Sequence, residues 1–189
     1  MLVVADDPAL IEAQLRAGAL LCEGCSGELR PWGWASVRWV RTLSGPIRIR
    51  PRRTCCRSCR STHVLLPSSV LLRRLDAAEV IGQALAAKAS GRGRRTISAE
   101  LGVAASTVRN WLRRAETNAE FIRGQANYEA IQLGADAKQL LPRGSPTADA
   151  LHALGVAATA AAHRLGAPAC PWHLLASLTG GRLLSPRPT

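Results

Sequence analysis

A chain of 189 residues, 47% of them hydrophobic, can bury the core of one ordinary domain or two small ones, which excludes a disordered tail. Its formal net charge of +12 excludes a neutral surface and points to a polyanionic partner. Nearly all of that charge is arginine, with lysine only at Lys88 and Lys138.

The charge is segregated along the chain. Residues 27–60 hold nine Arg against Glu28, and residues 73–114 hold nine basic residues against Asp76, Glu79 and Glu100. Residues 115–189 come to +1 and residues 1–26 to −3. Segregation of this kind marks two basic surfaces rather than a generally basic protein.

Residues 1–20 predict one N-terminal helix over Asp7–Ala17, with Pro8 near its start and Leu10, Ile11 and Leu15 on one side. Asp6 and Asp7 stand where a signal peptide would carry base. The most apolar stretch, Leu151–Ala162, is interrupted by His152 and too short to span a bilayer. The expectation is a cytoplasmic, nucleoid-associated protein without membrane contact. In that compartment paired cysteines are read as metal ligands rather than disulfides.

A zinc-ribbon block is expected over residues 21–67. Trp34–Arg41 and Ile47–Arg53 alternate and are separated by Ser44-Gly45-Pro46, a hairpin signature, and Thr62–Leu66 offers a third strand before Pro67. Cys22-Glu-Gly-Cys25 and Cys56-Arg-Ser-Cys59 are two Cys-x-x-Cys pairs separated by residues 26–55. Each pair can turn two thiolates toward one ion, and the two turns together complete a closed tetrahedral site for a structural Zn2+. A redox Cys-x-x-Cys would occur once, beside a βαβ pattern that is missing here. An iron–sulfur cluster suits the two-plus-two hairpin spacing less well than zinc. Cys55 gives a second register with Cys59, and His63 is a substitute ligand. Cys170 lies far away and reads as a buried or helix-starting residue. Arg38, Arg41, Arg48, Arg50, Arg52 and Arg53 alternate with Val40, Ile47 and Ile49, which predicts one packed side and one side attractive to phosphate. Trp32, Trp34 and Trp39 could stack on bases, but packing of the small ribbon is the role expected of them.

From Leu75 the pattern turns helical. Asp76–Ser90 predicts a helix with Val80, Ile81, Ala84 and Leu85 buried, ended by Gly91-Arg92-Gly93. Residues 73–116 are expected to form a helix-turn-helix DNA-binding domain, with helices at Arg94–Leu101 and Ala105–Arg114. Its small core would comprise Ile97, Leu101, Val103, Val108 and Trp111, with Ser98 at the crossing and Gly102 in the turn. Ser106, Thr107, Arg109, Asn110 and Arg113 then face outward from the second helix, whose N-terminal part enters the major groove in this motif. Arg pairs with guanine and Asn with adenine there, and Ser or Thr reaches phosphate or base. Arg92, Arg94 and Arg95, in the preceding loop, are expected to touch backbone phosphates. Ala104 and Ala105 stand where a Ser or Thr cap is common, at a cost of about 1 kcal/mol. Residues 117–184 are expected to be helical and available for oligomerisation. A helix at about Asn118–Leu133 comes first, then a linker at Pro142–Pro146. A helix capped by Ser145 runs to about Gly166 and Pro168, a last one begins near Pro171, and the tail frays from Ser185.

The two motifs together resemble the N-terminal part of certain insertion-sequence transposases, and small zinc-ribbon and helix-turn-helix proteins associated with mobile elements in high-GC bacteria. The resemblance rests on Cys22-x-x-Cys25, Pro31-Trp32-Gly33, Arg50-Pro-Arg-Arg53, Cys56-x-x-Cys59, Thr62-His-Val-Leu-Leu-Pro67 and the helix-turn-helix, covering roughly residues 20–115. It implies DNA binding at element ends or a promoter. It does not carry over strand-transfer chemistry. The acids after residue 115 (Glu116, Glu120, Glu129, Asp136 and Asp149) lie on helix-like or linker sequence, in a segment too short for a two-metal carboxylate domain.

The expected fold is therefore mainly α with a small β zinc ribbon: a zinc-ribbon hairpin, a helix-turn-helix and further C-terminal helices. The expected function is non-enzymatic binding of double-stranded DNA, by a transcriptional regulator or a mobile-element accessory factor. Two other readings stand beside it. One is an adaptor that pairs with itself as a homodimer or with a transposase; the other is a non-catalytic transposase fragment.

Overall fold

The computed structural model describes residues 1–166 and 169–185. The apolar triplet at the N-terminus forms a short strand, β1 (Leu2–Val4). Helix α1 (Pro8–Arg16) follows, started by the Asp7 side chain, which accepts from the Ala9 amide at 2.8 Å. Ile11 and Leu15 are buried from α1, whereas Leu10 is 43% exposed and does not share their face. Strands β2 (Leu29–Trp34), β3 (Arg38–Thr42), β4 (Gly45–Ile49), β5 (Arg52–Cys56) and β6 (Thr62–Pro67) come next.

These strands make two sheets, and the expectation of a mainly α protein with a small zinc-ribbon hairpin is overturned. The described chain has six α-helices, is 48% helical and 19% strand, and is a mixed α/β fold. The larger sheet has four strands in the order β1-β6-β5-β2. Two interactions take it beyond a hairpin. β1 adds parallel to β6, with Leu2 opposite Leu65, and β2 pairs antiparallel with β5, a partner across the intervening β3–β4. The expected hairpin arms are correspondingly split. Trp34 ends β2, Arg52 begins β5, and only β3 and β4 pair with each other, around a two-residue turn at Leu43-Ser44. Pro46 is tolerated inside β4 because that strand has a single partner and leaves one edge unpaired.

The helical part comprises α2 (Ala78–Ala89), α3 (Arg94–Leu101), α4 (Ala105–Gln132), α5 (Pro146–Leu165) and α6 (Pro171–Leu178), with a short 3-10 turn at Ala137–Gln139. The two helices expected at Ala105–Arg114 and Asn118–Leu133 are one. Arg114-Ala-Glu-Thr117 contains neither Gly nor Pro, and nothing there stops propagation. Ala115, Ala119, Ile122, Ala126 and Ala130 form a buried stripe along α4 at helical spacing. α5 lies against α4 and buries its own small residues, Ala150, Ala153, Ala157, Ala158 and Ala161. Alanine on both sides lets the two helices approach closely over their length. Ser145 caps α5 by accepting from the Ala148 amide at 3.2 Å, and Gly166 ends it in the left-handed region at φ 66°. The expected stop at Pro168 and the tail beyond Ser185 lie outside the described residues.

Buried side chains fall into two clusters. The smaller one (Val4, Ile11, Leu15, Cys22, Leu29, Cys56 and Leu65) holds the four-stranded sheet to α1. The larger one runs from Val40 of β3 through α2–α6 to Leu184, with Ile49 of β4 packed against it. The β3–β4 hairpin thus packs with the helices, although it is inserted between strands of the other sheet.

Candidate metal centre and nucleic-acid interface

Two short loops place the cysteines. In the first, the Cys22 amide donates to Gly27 O at 2.9 Å; in the second, the Cys56 amide donates to Ser61 O at 2.9 Å. Both loops turn on a left-handed residue directly after their second cysteine, Ser26 at φ 57° and Arg60 at φ 64°. The same backbone device therefore occurs twice, once before β2 and once between β5 and β6. Because those strands belong to one sheet, the loops meet at its end.

The sulfurs of Cys22, Cys25, Cys56 and Cys59 all lie within 4.8 Å of one another and can hold a metal ion. Cys22 Sγ is 3.7 Å from Cys59 Sγ, and Cys25 Sγ is 3.5 Å from Cys56 Sγ. An ion bound tetrahedrally by thiolates at about 2.3 Å sets ligand sulfurs about 3.8 Å apart, so the spacing fits. Cys22 and Cys56 are buried while Cys25 and Cys59 are exposed, which puts the centre at the protein surface. Gly27 is part of the fit, since a Cβ there would lie 3.0 Å from Cys56 Sγ and closer still to Ser58.

The electrostatics fit a cation as well. The Ser61 hydroxyl and then its amide push the Cys59 thiol down to about 6, with Cys25 adding to the effect. The Cys59 amide is the main influence lowering Cys56. Cys25 is raised to about 11: the Gly27 amide pulls it down, but its hydrogen bonds with the Cys59 and Cys56 sulfurs, the loss of water around it and the Cys22 sulfur together outweigh that. Thiolates this close repel one another unless a cation lies among them.

The two substitute ligands are accounted for. Cys55 points away from the cluster, its buried thiol donating to Cys56 O at 3.6 Å and Arg60 O at 3.5 Å. His63 sits behind the cluster, with Nε2 3.3 Å from Cys22 Sγ and Nδ1 3.4 Å from the N-terminal amine. It can orient a ligand without being one.

α3 and α4 are joined through Gly102, which ends α3 in the left-handed region at φ 61°. Ser98 Oγ donates to Val103 O at 2.6 Å across this turn. Ile97, Val103, Val108 and Trp111 are buried beneath it. Ser106, Arg109, Asn110 and Arg113 are exposed and recur at helical spacing on one stripe at the start of α4, whereas Thr107 is half-buried. Ala104, at the cap position, makes no side-chain cap, so the first amides of α4 lack that partner. Arg94 and Arg95 are exposed in the first turn of α3, where base opposes the helix dipole. Arg92 differs from them, since its Nη1 lies 2.6 Å from both Glu100 carboxylate oxygens. Among the described residues Arg94, Arg95, Arg109 and Arg113 make no ion pair.

The tryptophans do not pack the sheet as expected. Trp32, Trp34 and Trp39 are 51%, 46% and 62% exposed. The first two carry arginines instead: Arg30 lies 5.3 Å from the Trp32 ring centre and Arg52 4.6 Å from that of Trp34. The burial they were expected to supply comes from Leu29, Leu65 and the cysteines. Arg41 has a further role that its place in a run of alternating arginines concealed. Its Nη1 donates to Gly102 O at 3.3 Å, and its Nε lies 3.5 Å from Asp76 Oδ1. The β3–β4 hairpin therefore sits beside the α3–α4 turn. Trp39 and its cross-strand neighbour Arg48 are both exposed there.

No helix among the described residues is long and apolar enough to cross a membrane. Compared with known proteins, the chain matches no family model, no curated protein and no solved structure.

Proposed function

We propose that this protein binds double-stranded DNA in a sequence-specific manner, with α3 and α4 as a helix-turn-helix and the start of α4 as the recognition helix. The observation that carries the reading is the exposed stripe Ser106, Arg109, Asn110 and Arg113, which follows a tight turn fixed by Gly102. Such a stripe offers guanine and adenine readers at adjacent positions. Arg94, Arg95 and the exposed arginines of the β3–β4 hairpin supply phosphate contacts, and the segregated charge gives long-range attraction. The four-cysteine centre holds Zn2+ in a structural role, since four soft thiolates leave no position open for a substrate. Element ends or a promoter are the proposed targets, on the resemblance of these motifs to transposase N-terminal regions.

Selection of a random duplex library with the zinc-loaded full chain tests this at about 0.15 M salt. A defined site is expected. On that site Arg109→Ala or Asn110→Ala lowers affinity by about 1–3 kcal/mol, roughly 5- to 150-fold, and relaxes one base position. Arg95→Ala is expected to weaken all duplexes alike and to reduce the salt dependence. Equal affinity for every duplex sinks the proposal.

A further inference from the structure

Another group of ligand-type side chains meets outside the four-cysteine centre. Cys170 stands at the N-terminal cap of α6 and His173 follows in its first turn, while Glu79 lies in the first turn of α2. Their ligand atoms all lie within 4.8 Å of one another. His173 Nε2 is 3.2 Å from Glu79 Oε1, and Cys170 Sγ is 3.7 Å from the same oxygen. The other ring nitrogen, His173 Nδ1, is 3.2 Å from Asp6 Oδ2. Asp6 is itself held in place, accepting from the Ser69 amide at 3.0 Å and the Ser68 hydroxyl at 3.3 Å.

The arrangement is built into the packing. Gly82 is a buried mid-helix glycine in α2, one turn beyond Glu79, where glycine costs about 1 kcal/mol relative to alanine. An added Cβ there would run into the Trp172 ring. Trp172 lies between Cys170 and His173, so the residue that accepts this cost also seats the start of α6 over Glu79. His173 Nε2 is shielded from solvent and has no hydrogen-bond partner, although a carboxylate oxygen is 3.2 Å away. A thiol donating to Glu79 Oε1 and an imidazolium shared by Asp6 and Glu79 is one arrangement of these groups; with the thiol and Nε2 deprotonated, the same three ligand atoms converge where a shared cation satisfies all of them.

We propose that Glu79, Cys170 and His173 form a second divalent-cation site, in which Asp6 is a positioning residue that orients His173 through Nδ1. One sulfur, one nitrogen and one oxygen suit a borderline ion such as zinc or cobalt(II), not calcium or magnesium, which take oxygen ligands. A carboxylate behind a ligating imidazole fixes its tautomer and raises its basicity. Three protein ligands leave a fourth position for water or another ligand, so this ion exchanges more readily than one enclosed by four thiolates. The ligands come from α2 and α6, and Asp6 from the segment between β1 and α1. Occupancy therefore ties the C-terminal helix to the rest of the protein. The site requires no DNA and stands apart from the proposed DNA-binding reading.

The test uses the full chain, saturated with zinc and then freed of excess metal. The wild type is expected to retain two zinc ions, and His173→Gln, Cys170→Ser and Glu79→Gln one each, with unchanged far-ultraviolet circular dichroism. Cobalt(II) added to protein carrying one zinc should give visible d–d bands and a weak single-thiolate charge-transfer band, both lost in Cys170→Ser. Asp6→Asn should keep the site and weaken cobalt affinity about 10- to 100-fold. If one of the ligand variants fails to fold, the other two decide the question. A wild type that saturates at one zinc, or ligand variants that bind cobalt as the wild type does, overturns the site.

Discussion

Cys55 and Cys56 are adjacent in the chain and both buried, yet their sulfurs have unrelated surroundings. Cys56 Sγ lies 3.5 Å from Cys25 Sγ in the four-cysteine cluster, while Cys55 is spent on backbone carbonyls. Alternation along β5 separates them, because successive side chains point to opposite faces. Cys56→Ser should therefore lose the ion of this centre and Cys55→Ser should keep it. His63→Ala, which removes the imidazole 3.3 Å from Cys22 Sγ, should keep the ion with affinity lowered about 10- to 100-fold. Metal content and competition with a chelator read all three. Retention by Cys56→Ser together with loss by Cys55→Ser would move the ligand set to the other register.

Among the elements, α4 joins the exposed stripe of Ser106, Arg109, Asn110 and Arg113 to the C-terminal segment. Asn118, buried on α4, donates from Nδ2 to Leu183 O at 2.7 Å and Ser185 O at 3.3 Å. Leu184 O, between them, accepts from Arg74 at 2.9 Å and Arg114 at 2.8 Å. Asn118→Leu removes donors from carbonyls that have little access to water, and should cost about 1–3 kcal/mol in urea denaturation. A midpoint equal to that of the wild type would show that this clamp holds nothing. Such elements differ in how far the sequence discloses them. Cysteine pairs and the turn at Gly102 are local devices, so spacing alone located them. The continuity of α4 was also open to view, since Arg114–Thr117 contains no breaker and Ala115 keeps the apolar spacing, but the helix-turn-helix pattern ends at Arg114 and places the expected boundary there. β1 was beyond reach because three residues show no period and their partner, β6, lies some 60 residues away. Glu79 and Cys170 are 91 residues apart, and only the packing of Trp172 on Gly82 relates them. The tryptophans misled because a large ring in a small sheet suggests burial, and the flanking arginines that lie over Trp32 and Trp34 in its place are not distinguishable by type.

At the scale of the whole molecule, the two buried clusters have different means of support. The one beneath the four-stranded sheet is small and includes Cys22 and Cys56 of the four-cysteine cluster, whereas the larger one is closed by helix packing. Chelation should accordingly unfold the four-stranded sheet and leave much of the helical signal. Near-ultraviolet dichroism from Trp32 and Trp34 would fall while far-ultraviolet dichroism at 222 nm (the helix band) is largely kept. Full cooperative collapse on chelation would show that the helices depend on the sheet.

The Arg41 contact with Gly102 acquires a particular meaning if the hairpin and α4 both meet DNA. Modules joined by a flexible linker can slide apart and accept half-sites at many separations. Here a side chain 3.3 Å from the turn backbone pins one reading element to the other. The distance between their points of contact would then be a property of the protein, fixed before any duplex arrives. Footprints on different targets should share one helical phase, and a duplex lengthened by half a turn between the two contacts should be refused.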